Sequence, residues 1–233
     1  MAKKNENGVI DINETLSKSE AFFEKYKKPL IAALIALVVI IVGLYLYKNY
    51  VSEPRKAKAS TALALSQEYF NNQNFELALN GDSLKSGGLL KVISDYKGTP
   101  AANLANLYAG LCYANTEKWE EAVKYLEAFK TRDDQMVSPS AVAALGNAYA
   151  HVDKLDKAVS KLKEAAALAD KRSKEGVNNA LSADFLLQAG KILESQGKKD
   201  EALKIYQSIK EKYVASYIVQ TQEIEKYIER ASR

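Results

Sequence analysis

Three glycines, Gly110, Gly146 and Gly190, set a frame that recurs through the second half of this 233-residue chain. Three positions after each come Tyr113, Tyr149 and Leu193, and twelve after come Ala122, Ala158 and Ala202. Four residues further on lie Leu126, Leu162 and Tyr206, and three beyond those Phe129, Ala165 and Ile209. Each copy reads as a helix, a short polar turn and a second helix. The turns fall at 115–118, 152–154 and 196–199, where Gly197 suits a helix C-cap. The small residue of the first helix and the alanine of the second let two backbones approach closely, and the Tyr and Leu positions fill the space around them. A single hairpin of this kind cannot bury its apolar face, so successive pairs must stack into a solenoid. The expected fold is therefore all-α, and a composition of 4 Pro and 11 Gly with abundant Ala, Leu, Lys and Glu agrees with it.

The copies occupy 101–134, 138–170 and 180–214. The second glycine interval is eight residues longer than the first, and the excess falls around Lys171 to Asn179. A degenerate copy is expected at 59–98, where Tyr69 and Ala78 keep the offset of nine between Tyr113 and Ala122 before Asn80-Gly81-Asp82 interrupts. Residues 216–233 carry Tyr217, Thr221, Ile224, Ile228 and Ala231 at helical spacing and should cap the array. Ser138-Pro139 reads as an N-cap and N1 pair.

A different pattern occupies the N-terminal part. Leu30 to Tyr47 runs without a charge, long enough at ~1.5 Å per residue to approach the ~30 Å hydrocarbon core of a bilayer. Tyr45, Tyr47 and Tyr50 cluster at one end as an interfacial belt would. A cleaved signal peptide would start nearer residue 1 and end in small residues, whereas Leu44-Tyr45-Leu46-Tyr47-Lys48-Asn49 follows here, so a retained anchor is expected. Lys25, Lys27 and Lys28 crowd the N-terminal edge against Lys48 alone, which places the N-terminus in the cytoplasm. The expected layout is a cytoplasmic tail at 1–28, a transmembrane helix at 29–48, a juxtamembrane connection at 49–58 and the repeat domain at 59–233. Within the tail, Leu16, Ser19, Phe22, Phe23 and Tyr26 share a helical face that either extends the anchor or lies on the inner leaflet.

The offsets in the second half resemble the tetratricopeptide repeat, in which small-x-x-Tyr is followed by Ala and then a large apolar residue. The match is strongest from Gly146-Asn-Ala-Tyr149 through Ala158. It departs where the usual Trp gives way to Asn106, Val142 and Leu186, and where the closing Pro is lost. The whole layout also resembles a narrower family, membrane-anchored repeat proteins related to the ancillary subunit of the SecYEG translocon. The stretch from Ala101 to Tyr113 and the ending Glu223-Ile-Glu-Lys-Tyr-Ile228 carry that likeness. The resemblance implies a bacterial inner-membrane protein with periplasmic repeats, partnered by the translocon, periplasmic chaperones or exported clients.

Nothing in the sequence carries catalysis. One His and one Cys exclude clusters of either, and no phosphate loop, dinucleotide turn, zinc-protease helix or nucleophile elbow occurs. No cofactor or metal is expected. The formal charge of +4 is close to balanced, which argues against nucleic acid. Cys112 reads as a buried small hydrophobe, and Asp133-Asp134 and Glu120-Glu121 as solvated faces.

Binding is where the repeat speaks. First helices of stacked pairs line a groove, and counting −6, −3, +1 and +5 from each glycine selects its candidate lining. That gives Leu104, Leu107, Leu111 and Asn115, then Ser140, Ala143, Asn147 and His151, then Asp184, Leu187, Lys191 and Ser195. The first set suits either a peptide or self-packing by the degenerate copy. A clamp on a C-terminal carboxylate is disfavoured, because only Asn147 and Lys191 have the right chemistry. The function expected is a membrane-anchored interaction scaffold with the lipid bilayer held at 30–47; a cytoplasm-facing adaptor and a self-assembling envelope protein are the alternatives, and the oligomeric state stays open.

Overall fold

A computed structural model describes residues 12–82, 87–173 and 175–233. The chain divides into two units, Met1–Pro54 and Arg55–Arg233. In the first, α1 (Ile12–Tyr47) runs for 36 residues and passes through Pro29, which withholds an N–H from the helical ladder. Every residue from Leu30 to Tyr47 is exposed, and within its own unit none of the described residues covers this apolar surface. The helix is long and apolar enough to cross a membrane. Phe22 and Tyr26 bring their rings to 4.7 Å on its polar stretch. Residues 1–11, and the side chains of Leu16, Ser19 and Phe23, lie outside what is described, so the expected face of the tail is not traced.

The expected connection at 49–58 is helical. Lys48–Ser52 forms a π-helical stretch, with Tyr50 76% exposed, and α2 (Glu53–Asn71) begins directly after it. The stretch has no Gly, and Pro54 falls in the first turn of α2, where a proline is tolerated, so the polar composition read as a linker is that of an exposed helical surface.

The second unit is built of hairpins. After α2 come α3 (Phe75–Asn80), α4 (Gly88–Asp95), α5 (Pro100–Asn115), α6 (Trp119–Ala128), α7 (Val137–His151), α8 (Leu155–Lys171), α9 (Ser182–Ser195) and α10 (Lys199–Lys212). Two short helices, α11 (Tyr217–Gln220) and α12 (Ile224–Ala231), replace the single capping helix expected at 216–233, because Thr221 to Glu223 form a turn with Gln222 at φ 59°. From α3 to α10 consecutive helices pack on one another, and α12 packs on α10. The core follows as three apolar clusters along the chain, centred on Leu79, Leu89 and Ala105, on Ala122, Leu126 and Tyr149, and on Leu162, Tyr206 and Ile209.

Each hairpin turns in the same way. Gln73, Glu117, Asp153 and Gly197 adopt positive φ of 59°, 59°, 56° and 74°. The next N–H, of Asn74, Lys118, Lys154 or Lys198, donates to the carbonyl of Tyr69, Tyr113, Tyr149 or Leu193 at 2.9 Å in every case. This is the Schellman closure, which satisfies the carbonyls orphaned at a helix end. Its presence at Gln73 makes α2 and α3 the first hairpin of the series. There Ser66, fully buried, stands where later copies have glycine, and the Tyr69 hydroxyl donates to Asp82.

The starts of the first helices differ. Thr99 caps α5, its hydroxyl accepting from the Ala102 N–H at 3.2 Å, with Pro100 at the first helical position. Ser138 does not cap α7, which begins one residue earlier. Asp134, expected as a solvated acid, takes that role by accepting from the N–H groups of Ser138 at 2.9 Å and Met136 at 3.1 Å. A carboxylate outcompetes a hydroxyl for N–H groups at the positive end of a helix. Asp133 pairs with Arg172.

The eight extra residues lengthen α8 and the connection at 172–181. Asp170, 7% exposed, fastens that connection. It accepts from the Asn178 N–H at 2.8 Å, Ser182 Oγ at 2.7 Å, Tyr213 Oη at 2.7 Å and Lys212 Nζ at 2.5 Å. Burial pushes its carboxyl up, but these donors override burial and hold it below the usual carboxylate range.

Candidate functional site

The glycine frame fixes how each first helix meets its second. A β-carbon on Gly110 would stand 2.6 Å from Leu126 Cγ, one on Gly146 2.9 Å from Leu162 Cγ, and one on Gly190 2.8 Å from Tyr206 Cζ. All three neighbours are buried, at 3%, 0% and 0% exposure. Ala122, Ala158 and Ala202 are fully buried beside them. Tyr113 stacks on Tyr125 at 5.3 Å, Tyr149 donates to Glu127, and Leu193 lies in the third cluster. Burial, then Glu127, pushes the Tyr149 hydroxyl up to about 12. Tyr206 donates to Glu194 at 2.5 Å, and Glu194 also receives Arg230 Nε at 2.9 Å and Nη2 at 2.5 Å, which fastens α12 to α9.

With α5, α7 and α9 held in this phase, their C-terminal halves line an open cavity of about 550 Å³. Of the expected groove residues, Leu111, Asn115, Asn147, His151 and Lys191 line it. These are the +1 and +5 positions, and they come from three successive repeats. The −6 and −3 positions lie elsewhere. Leu104 is half-buried between the first and second clusters, Leu107 is 8% exposed within the second, and Leu187 packs on the third, while Asp184 is exposed. Position −6 shares the angular sector of +1 but stands about 10 Å further along the helix axis. For Leu104, that distance places it against the first repeat, the self-packing reading; Ala143 is likewise buried.

The cavity also contains residues that the counting omits. Ala114, Ala144, Ala148, Ala150 and Ile192 supply small apolar walls, Gln188 comes from the −2 position of α9, and Trp119 comes from the start of α6. The −2, +2 and +4 positions are one helical turn or less from the chosen ones, so a wider angular window would have found all but Trp119. Trp119 is the chain's single tryptophan. Its ring stacks on His151 with centroids 3.6 Å apart and planes 3° from parallel. His151 is exposed, so one edge of the cavity is an aromatic pair open to solvent.

The polar groups are few. Asn115 Nδ2 is spent on the Leu111 carbonyl at 2.8 Å. Asn147 and Lys191 are exposed, and Lys191 Nζ sits 5.1 Å above the ring of Tyr227 on α12. Gln188 Oε1 is buried without a hydrogen-bond partner. Among the described residues, no three His, Cys, Asp or Glu side chains are grouped to hold a metal ion. Cys112 is fully buried, and burial raises its thiol to about 12, far from a reactive thiolate. The chemistry available is recognition: an apolar floor, an aromatic edge, two amides and one ammonium.

The model of the tetratricopeptide repeat-like domain family matches residues 20–224. The chain belongs to that family. Its matched region takes in most of α1 as well as the hairpins. Two solved structures are similar in fold, a putative kinesin light chain from Podosopora anserina with nearly identical TPR-like repeats and the same protein carrying one substitution. Each is 14% identical, superposes with a TM-score of 0.52, and covers 76% of this chain and 94% of its own. No curated protein matches. Repeats of this family typically serve as protein-interaction scaffolds rather than enzymes, and this chain carries that architecture.

Proposed function

We propose that the chain is a non-enzymatic, membrane-anchored scaffold that docks other proteins in the cavity of α5, α7 and α9, beside the Sec translocon or periplasmic chaperones during protein export. In this reading α1 crosses the bacterial inner membrane, the tail is cytoplasmic and the repeat unit is periplasmic. The observation that carries the docking reading is the cavity itself: three successive repeats leave apolar surface and an aromatic pair open on their first helices. The exposed apolar surface of α1 supports the anchor. The lysines before residue 29 support the orientation, and the likeness at 101–113 and 223–228 supports the translocon.

A photoreactive residue at Asn147, illuminated in intact cells, tests this directly. The expected products contain a translocon subunit or a periplasmic chaperone. Absence of any product from that position would sink the docking reading, and products confined to cytoplasmic proteins would sink the orientation. Topology is read separately by a cysteine introduced within 171–179, since the native Cys112 is fully buried and silent to a membrane-impermeant reagent. Labelling only after lysis would place the repeats inside.

A further inference from the structure

The proposed docking site leaves two needs that an apolar partner alone does not meet. Gln188 Oε1 is a buried acceptor with no donor, a condition that is costly until a donor arrives. Lys191 is the one charged residue among those lining the cavity. Among the described residues it forms no ion pair within 4.0 Å; its Nζ lies over the Tyr227 ring. Asp184, on the same helix, interacts with Lys191 electrostatically but is not part of the lining. Lys191 therefore supplies the one positive charge of a lining whose apolar floor is formed by Leu111 and Trp119.

We infer that the cavity takes an extended peptide in which an Asp or Glu side chain stands two residues from an apolar one. This rests on the docking reading above and specifies its partner. In an extended peptide, side chains two apart point to the same side, so the carboxylate and the apolar group enter together. The carboxylate meets Lys191, the apolar side chain lies on Leu111 and the Trp119–His151 edge, and the Gln188 amide turns from its buried position so that Oε1 accepts a main-chain N–H of the peptide. Asn147, exposed at the rim, adds an amide for the peptide backbone. An internal acidic side chain fits better than a C-terminal carboxylate, because the lining holds a single ammonium and no second cation.

The test uses the full chain in detergent micelles and the emission of Trp119, the only tryptophan, as a local reporter. The probes are N-acetylated, C-amidated hexapeptide pools fixed as Leu-x-Glu or Glu-x-Leu, the same pools with Gln for Glu, and a Leu-x-Gln pool with a free C-terminal carboxylate. One of the Glu pools should bind about fivefold tighter than its Gln counterpart. Lys191→Gln should erase that difference without altering the helical circular dichroism, and added salt should weaken only the Glu pool. Gln188→Leu should weaken Glu and Gln pools alike. Equal binding of both pools, indifference to Lys191→Gln, or tightest binding by the free carboxylate would overturn the inference while leaving docking intact. Failure of every pool to bind, while Asn147 still crosslinks proteins in cells, would do the same. Loss of those crosslinks is the separate outcome that removes the docking reading itself.

Discussion

Gly190→Ala isolates the close approach on which the third full hairpin rests. The added methyl would stand 2.8 Å from Tyr206 Cζ and 3.0 Å from its hydroxyl, against the ~3.5–4.0 Å that carbon atoms prefer. The ring cannot swing aside, since it is fully buried, holds Glu194 at 2.5 Å and lies 5.5 Å from Tyr227. The two backbones must therefore separate. Overpacking of this kind costs about 1–3 kcal/mol, and a ring pinned on several sides belongs near the top of that range. Alanine returns about 1 kcal/mol of helix propensity, leaving a net loss of about 2 kcal/mol. For a unit the size of Arg55–Arg233 that lowers Tm by about 4–8 °C, measured by far-ultraviolet circular dichroism of that fragment. The sign is decisive. Without the contact, Gly190→Ala in the middle of a helix should stabilise, so an unchanged or raised Tm would refute the packing argument. A second arm locates the cause: in a Tyr206→Val background, where the offending ring atoms are gone, the same alanine should be neutral or stabilising.

Asp170→Asn should cost about 1–3 kcal/mol at pH 7, read from urea titrations, because it weakens four bonds at one buried group. Since the native carboxyl titrates below the usual range, its contribution is present above about pH 4 and lost as pH falls through the native value. The wild type should therefore lose stability more steeply than the variant in acid, and parallel curves would contradict the assignment. Glu117→Gly should raise stability by about 0.5–1 kcal/mol and Gly197→Ala should lower it by a similar amount, because both residues hold the left-handed position of the same turn; like signs in thermal melts would be fatal to that equivalence. Thr99→Ala should cost about 1 kcal/mol through the lost cap on α5, with Thr99→Ser largely restoring it in the same melts.

How much of this was legible in the sequence depended on what each residue had to do. The glycines at 110, 146 and 190 announce themselves because no other residue tolerates the facing side chains that the structure sets against them. The first hairpin obeys the same turn geometry but is harder to read. Ser66 replaces its glycine and Asp82 stands where Leu or Tyr would be. Helical counting recovers the angle of the cavity-lining residues but not their height along the axis. It therefore put Leu104 and Asp184 with Leu111 and Lys191, and it could not reach Trp119, which arrives from the second helix.

The inserted residues near 171–181 show the reason for such gaps. Lengthening a connection costs little chain entropy, so the sequence interval alone says only that the chain is longer there. Its backbone groups must still find partners once they approach the core. Asp170 supplies one by accepting the Asn178 N–H, and it anchors the neighbouring hairpin through Ser182, Lys212 and Tyr213. The acid and its serine do recur: Asp170 stands 24 residues after Gly146 as Asp134 does after Gly110, and Ser182 and Ser138 each stand eight before the next glycine and donate to that acid. The bonds from Asn178, Lys212 and Tyr213 have no counterpart at Asp134 among the described hydrogen bonds. Periodicity reaches the acid–serine pair that two hairpins share; the further donors from Asn178, Lys212 and Tyr213 answer a local need and become visible only when those segments are placed together.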